Sequence, residues 1–205
     1  MDIQLHKGDL PTGVLQGSSI VAVDTEAMGL KPWRDRLCLV QLSAGDESVH
    51  IVQFLAEQPA PNLKKLMADP KVTKLFHFAR FDVALLMHSL GVVPAPIYCT
   101  KIASRLVRNY TDHHGLKDLC KELLDVKISK QERTSDWGNP DLSKAQLQYA
   151  ATDVLHLHAL KQKLDVLLVR ENRQEMAEAC FRFLPFRAQL DLWGGTEEEN
   201  DIFRH

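Results

Sequence analysis

The stretch Ile20 to Leu30, IVAVDTEAMGL, ends a nearly continuous apolar run on two carboxylates, Asp24 and Glu26. Val and Ile at this density read as a buried strand. On a strand, residues two apart point to the same face, so both acids face one way. One unpaired buried carboxylate is costly, and two side by side resist ionising together. The stretch needs either a compensating cation or a solvent-facing strand end, and alone it leaves both open.

The flanking sequence places this strand in a sheet. RLCLVQLS (Arg36 to Ser43) follows a Gly-Leu-Lys-Pro turn, and ESVHIVQF (Glu47 to Phe54) follows Ala44-Gly45-Asp46. Three strands joined by two short connections predict an antiparallel meander. PNLKKLMAD offers a short helix, with Asn62 near its start and Pro70 beyond its end. KVTKLFHF is β-rich, and RFDVALLMHSLG is a helix closed by Gly91. From Tyr98 onward the periodicity is helical. HGLKDLCKELLD is amphipathic, and LSKAQLQYAATDVLHLHALKQKLDVLLVREN reads as one long helix with Ser143 as its N-cap. The polar connector VKISKQERTSDWGNPD between them is read as a mobile loop. Strands first and helices later predict a single α/β domain over residues 1–205, with a mixed sheet flanked by helices and a C-terminal helical tail.

The chain has 205 residues, 45% hydrophobic and 25% charged, with a formal net charge of −2. That balance is ordinary for a soluble domain and argues against a general polyanion binder, whose surface is usually strongly basic. Cys38, Cys99, Cys120 and Cys180 are scattered with no CxxC pair, so they read as four buried thiols in a reducing cytoplasm. MDIQLHKGDLPTG lacks an apolar h-region and no run approaches a membrane span, so a cytoplasmic protein without a membrane partner is expected.

Two further segments carry acids. HFARFDVALL puts Asp82 in the first turn of a helix, where an acid also complements the helix dipole. YAATDVLHL spaces Tyr149 and Asp153 four apart, on one helix face. Each has a plain structural explanation. Together, four carboxylates from one strand and two helices are a donor set for Mg²⁺ or Mn²⁺, hard cations that take oxygen ligands. Two such ions would compensate the opening pair and clamp the attacking and leaving oxygens of a phosphodiester.

DTE, HFARFDVALL and YAATDV, in this order, resemble the three motifs of the DEDD 3′–5′ exonuclease superfamily. The resemblance implies a ribonuclease H-like (DnaQ-like) fold, with Asp24, Glu26, Asp82 and Asp153 as ligands of two divalent ions. The histidine branch of the superfamily carries its His five positions before the last Asp, where this chain has Gln148. The tyrosine branch carries Tyr four before it, where Tyr149 stands, so the sequence resembles the tyrosine subclass. A free phenol titrates near ~10, which favours orienting the water by a hydrogen bond over fully deprotonating it.

QERTSDWGNPDLSKAQLQYAATDVLHLHAL looks like the ribonuclease D branch, but the chain is shorter than ribonuclease D with its C-terminal nucleic-acid-binding domains. Its whole length is similar to the nanoRNase C family of oligoribonucleases. That resemblance implies cleavage of very short RNA, including the dinucleotide of cyclic-di-GMP turnover, and assembly as a homo-octameric ring. Processing of longer RNA, or of DNA, is the enzymatic alternative. A catalytically inactive nuclease fold serving as a scaffold is the other, and turnover with and without EDTA separates them.

The resemblance also implies substrate contacts. Leu30 resembles a wedge between terminal bases, against the alternative of a turn leucine capping the core. Thr25 is a candidate contact to the terminal nucleotide, and His77 either meets substrate or bonds within the core. Ser135 and Trp137 precede the catalytic helix, with Trp137 stacking on substrate or packing the loop down. Lys101, Arg105, Arg108, Lys130 and Arg133 are phosphate candidates or solvated charges. His113-His114 is not a metal pair, because adjacent side chains diverge. The apolar tail CFRFLPFRAQLDLW should pack on its own domain or on a neighbouring subunit.

Overall fold

The computed structural model describes residues 1–128 and 135–194. Lys130, Arg133, part of the polar connector and the acidic run 197–201 lie outside the described residues. Six strands form one mixed sheet: β1 Asp2–Lys7, β2 Ile20–Ala27, β3 Leu37–Ser43, β4 Ser48–Gln53, β5 Thr73–Phe76 and β6 Ile97–Cys99. Their spatial order is β1-β4-β3-β2-β5-β6. β2, β3 and β4 form the expected antiparallel meander, while β1 joins β4, β5 joins β2 and β6 joins β5 in parallel. β3 is buried along its whole length, its polar Gln41 and Ser43 included.

Two strands extend the sequence reading. β1 forms within the segment whose sequence lacks an apolar h-region, and β6 replaces the start of the helical stretch at Tyr98. The helices are α1 Pro61–Ala68, α2 Ala79–Leu90, α3 Thr100–Val107, α4 Leu116–Leu124, α5 Lys144–Leu155, α6 Leu157–Arg170 and α7 Gln174–Leu192. The start of α1 is capped from far away: the Asp9 carboxylate accepts from the N–H groups of Asn62 (3.0 Å) and Leu63 (2.9 Å). α2 ends on Gly91, which adopts φ 63° while its N–H bonds Met87 O. α5 opens on the predicted Ser143, in a full capping box with Gln146.

The single long helix expected over 142–172 is two helices, broken at His156. Neither proline nor glycine marks the break. The packing differs on its two sides: α5 lies on β2, β3 and β4, whereas α6 turns its Leu157, Leu160, Leu164 and Leu168 stripe toward α3 and α4. The tail is ordered as α7, whose Phe181, Leu184 and Ala188 are buried and whose body packs on α2. Arg80 of α2 is bonded to Asp191 of α7 through two N–H donors, at 2.6 and 2.7 Å. Cys38, Cys99 and Cys120 are buried as expected, but Cys180, at the flank of the buried face of α7, is only half-buried. No helix among the described residues is long and apolar enough to cross a membrane.

Candidate active site

Alternation along β2 turns Asp24 and Glu26 toward α5, and the helix brings Asp153 down onto them. One carboxylate oxygen from each of Asp24, Glu26 and Asp153 lies within 4.8 Å of the others. Asp82 stands in the first turn of α2 and is 5% exposed. It is not part of that three-way contact; its Oδ1 accepts a 2.6 Å hydrogen bond from Thr25 Oγ1. Thr25 alternates to the opposite face of β2 from its acidic neighbours, so it links the strand to α2. This is its role in the fold: it fixes the fourth acid beside the other three.

The electrostatics restate the puzzle of the opening stretch. Burial holds the Asp24 carboxyl well above the usual carboxylate range, and the charges of Asp82, Asp153 and Glu26 push it further. Glu26 is raised to about 9 by burial and then by Asp153 and Asp82. Burial also lifts Asp82 and Asp153 to about 7 each. The ion pairs among the described residues engage other carboxylates, so this charge is not met from within the fold. A set of close oxygen donors that resist joint ionisation fits hard divalent cations.

Tyr149 lies one turn before Asp153 on α5 and is half-buried. Its ring centroid is 6.0 Å from that of Trp137, at a tilt of 32°. Trp137 is 4% exposed, so it packs beneath Tyr149 and is not an open platform. The segment around it is pinned from three elements. Gln146 Nε2 donates to Asp136 O at 3.1 Å, Gln53 Nε2 to Asn139 O at 3.0 Å, and Lys7 Nζ to Pro140 O at 3.1 Å. A Cβ on Gly138 would sit 2.5 Å from Sδ of the exposed Met28, a side chain free to turn aside. β1, absent from the sequence reading, thus helps hold the tyrosine side of the site. Ser135 begins this segment and is half-buried.

The remaining candidates divide. Leu30 is 86% exposed, so it caps no core, and it stands in the loop leaving β2. Gly29 permits that loop to close, since a Cβ would fall 2.3 Å from Asp35 Oδ2, the acceptor for Lys31 N–H. His77 Nδ1 lies 2.8 Å from Thr100 Oγ1, and burial followed by Lys101 lowers the ring to about 3, so it is neutral in water at pH 7. Arg108 is no phosphate ligand: it is fully buried and bonded to Ser104, His113 O and Glu122. His114 Nδ1 lies 2.8 Å from Ser104 Oγ. One platform escaped the sequence reading. Phe78, exposed at the entrance to α2, carries Lys101 Nζ 3.8 Å above its ring. The aromatic next to His77 was its only sequence signal.

The 3′–5′ exonuclease family profile matches residues 13–168. The structure of Brucella melitensis NrnC with bound Mg²⁺ is 53% identical, covers 100% of both chains and superposes with a TM-score of 0.94. That of Brucella melitensis NrnC bound to pGG is 55% identical, with a TM-score of 0.95 over 100% of this chain and 99% of the other. Ribonuclease D of Acidiphilium cryptum (strain JF-5) is 39% identical over 198 residues, 90% of this chain, and this chain spans 50% of that protein's length.

Proposed function

Because the chain belongs to the 3′–5′ exonuclease family, we propose that it is a divalent-metal-dependent 3′–5′ exoribonuclease of NrnC type that acts on short oligoribonucleotides, dinucleotides above all. The observation that carries this reading is the approach of Asp24, Glu26 and Asp153 to within 4.8 Å, half-buried and without a protein cation. Those three residues, with Asp82 beside them, would hold two Mg²⁺ or Mn²⁺ ions. When bound, the ions supply Lewis-acid stabilisation to the oxygens that enter and leave the phosphorus.

The chain's own groups do the rest. The Tyr149 hydroxyl, one turn above Asp153, orients a water for in-line attack, and Trp137 fixes the tyrosine ring. The new bond joins the water oxygen to phosphorus, and the P–O3′ bond breaks. The 3′ oxygen of the preceding nucleotide takes a proton, and a 5′-mononucleotide is released. Exposed Leu30 supports a wedge between two bases, and the Phe78–Lys101 pair supports a base or phosphate contact at the α2 entrance. A net charge of −2 leaves little long-range attraction for a long polyanion, and the NrnC structure with pGG supports the short substrate. Longer RNA is the second reading, favoured by the likeness to ribonuclease D.

We also propose the homo-octamer. Val166 and Val169 on α6 and Met176 and Phe186 on α7 are exposed apolar side chains, and Trp193 follows them. Such a surface supports burial against another copy. The first test is turnover of a labelled dinucleotide with Mg²⁺, with EDTA, and in Asp24→Asn. Activity only in the first case is expected; equal activity in EDTA refutes the metal assignment.

A further inference from the structure

Gln41 lies in the middle of β3 and is fully buried, and among the described residues neither its carboxamide oxygen nor its nitrogen has a hydrogen-bond partner. Its register partner on β2 is Asp24. Residues directly opposite in an antiparallel pair point to the same face, with Cβ atoms about 4.5–5.5 Å apart. The amide therefore lies beside Asp24 under α5, on the face where Asp24, Glu26 and Asp153 meet. Asp24 is shaped there by burial and by neighbouring charges, with no hydrogen bond among the influences on its ionisation. On the same face two residues away, Leu39 is a plain apolar filler. An amide that only filled space would be a poor choice, because a methionine or leucine packs the same volume with no unsatisfied polar atoms.

We propose that Gln41 is a positioning residue for the metal ligand Asp24: its carboxamide N–H holds one carboxylate oxygen across a single bridging water, so that the other faces the ion. The inference rests on the assignment of Asp24 as a ligand made above. Partners that orient a ligating side chain are typically worth about 10–100-fold in metal affinity. Replacing the amide by an apolar side chain of similar volume removes buried polar atoms and keeps the packing, so the fold itself should lose no stability.

Mn²⁺ binding to wild type, Gln41→Met and Gln41→Leu, followed by calorimetry, tests this alongside thermal unfolding of each protein in EDTA. Both variants should unfold in EDTA at the wild-type temperature or above it. Both should bind Mn²⁺ about 10–100-fold more weakly, and raising Mn²⁺ should restore turnover. Wild-type Mn²⁺ affinity in a folded variant overturns the proposal. So does destabilisation in EDTA with unchanged affinity, the mark of a packing role, and so does failure of both variants to fold. If wild type itself binds no Mn²⁺, the metal assignment fails instead, and the two failures are distinguishable.

Discussion

Replacing Glu26 by glutamine should stabilise the ion-free protein and remove much of its stabilisation by metal, so the sign of the effect depends on Mg²⁺. In the fold, the Glu26 carboxyl is raised from 4.5 to about 9, mainly by burial. Between those values the native state keeps a proton that the unfolded chain has released. Stability therefore falls as pH rises through this window, by about 1.4 kcal/mol per pH unit. At pH 7.5 the full cost is on the order of 4 kcal/mol, and discounting for partial exposure and coupling leaves about 2 kcal/mol. Glu26→Gln lacks this cost. In EDTA it should melt about 4–8 °C above wild type, given ~2–4 °C per kcal/mol for a chain of this size. The gap should be small near pH 5 and grow toward pH 9. With excess Mg²⁺ the order should reverse, because wild type gains binding energy that the variant largely forfeits. Scanning calorimetry of both proteins at several pH values, in EDTA and in Mg²⁺, reads all of this. A variant that is destabilised in EDTA, or whose advantage does not grow with pH, refutes the electrostatic reading of the site.

Other perturbations probe neighbouring parts of the account. Tyr149→Phe should keep Mn²⁺ affinity and lose roughly 10²–10⁴ in kcat, the range of acid–base assistance; a wild-type kcat would reduce the ring to packing. Asp153→Asn should abolish turnover in a folded chain, which circular dichroism and an activity assay establish together. Leu30→Ala should leave the melting temperature unchanged, because the side chain is 86% exposed, while raising KM for a dinucleotide.

The meander and the acidic quartet were legible because they rest on local signals. The period-two placement of Asp24 and Glu26, the turn residues between strands, and the capping box at Ser143 are each readable within a few residues. β1 was harder: only Ile3 and Leu5 alternate against polar neighbours, and its partner β4 lies more than forty residues on. The break at His156 was invisible because it comes from where α6 packs, not from a helix-breaking residue. Gln41 hid inside an apolar strand, and its meaning depends on the β2–β3 register that places it opposite Asp24. Lys7 and Gln53 likewise gain a role only once the sheet sets them side by side beneath residues 139–140.

The central claim is that this fold degrades short RNA from the 3′ end with divalent ions held by its carboxylates. It is tested most directly by measuring kcat/KM for 5′-labelled RNAs of two to about twenty nucleotides in Mg²⁺, a span that crosses the roughly 4–16 nucleotides held by single-strand-binding modules. The account predicts the highest efficiency on the dinucleotide, a steady fall with length, release of 5′-mononucleotides and no turnover in EDTA. Equal efficiency on dinucleotide and twenty-mer would contradict the short-substrate claim, and cleavage that persists in EDTA would contradict the metal-dependent mechanism itself.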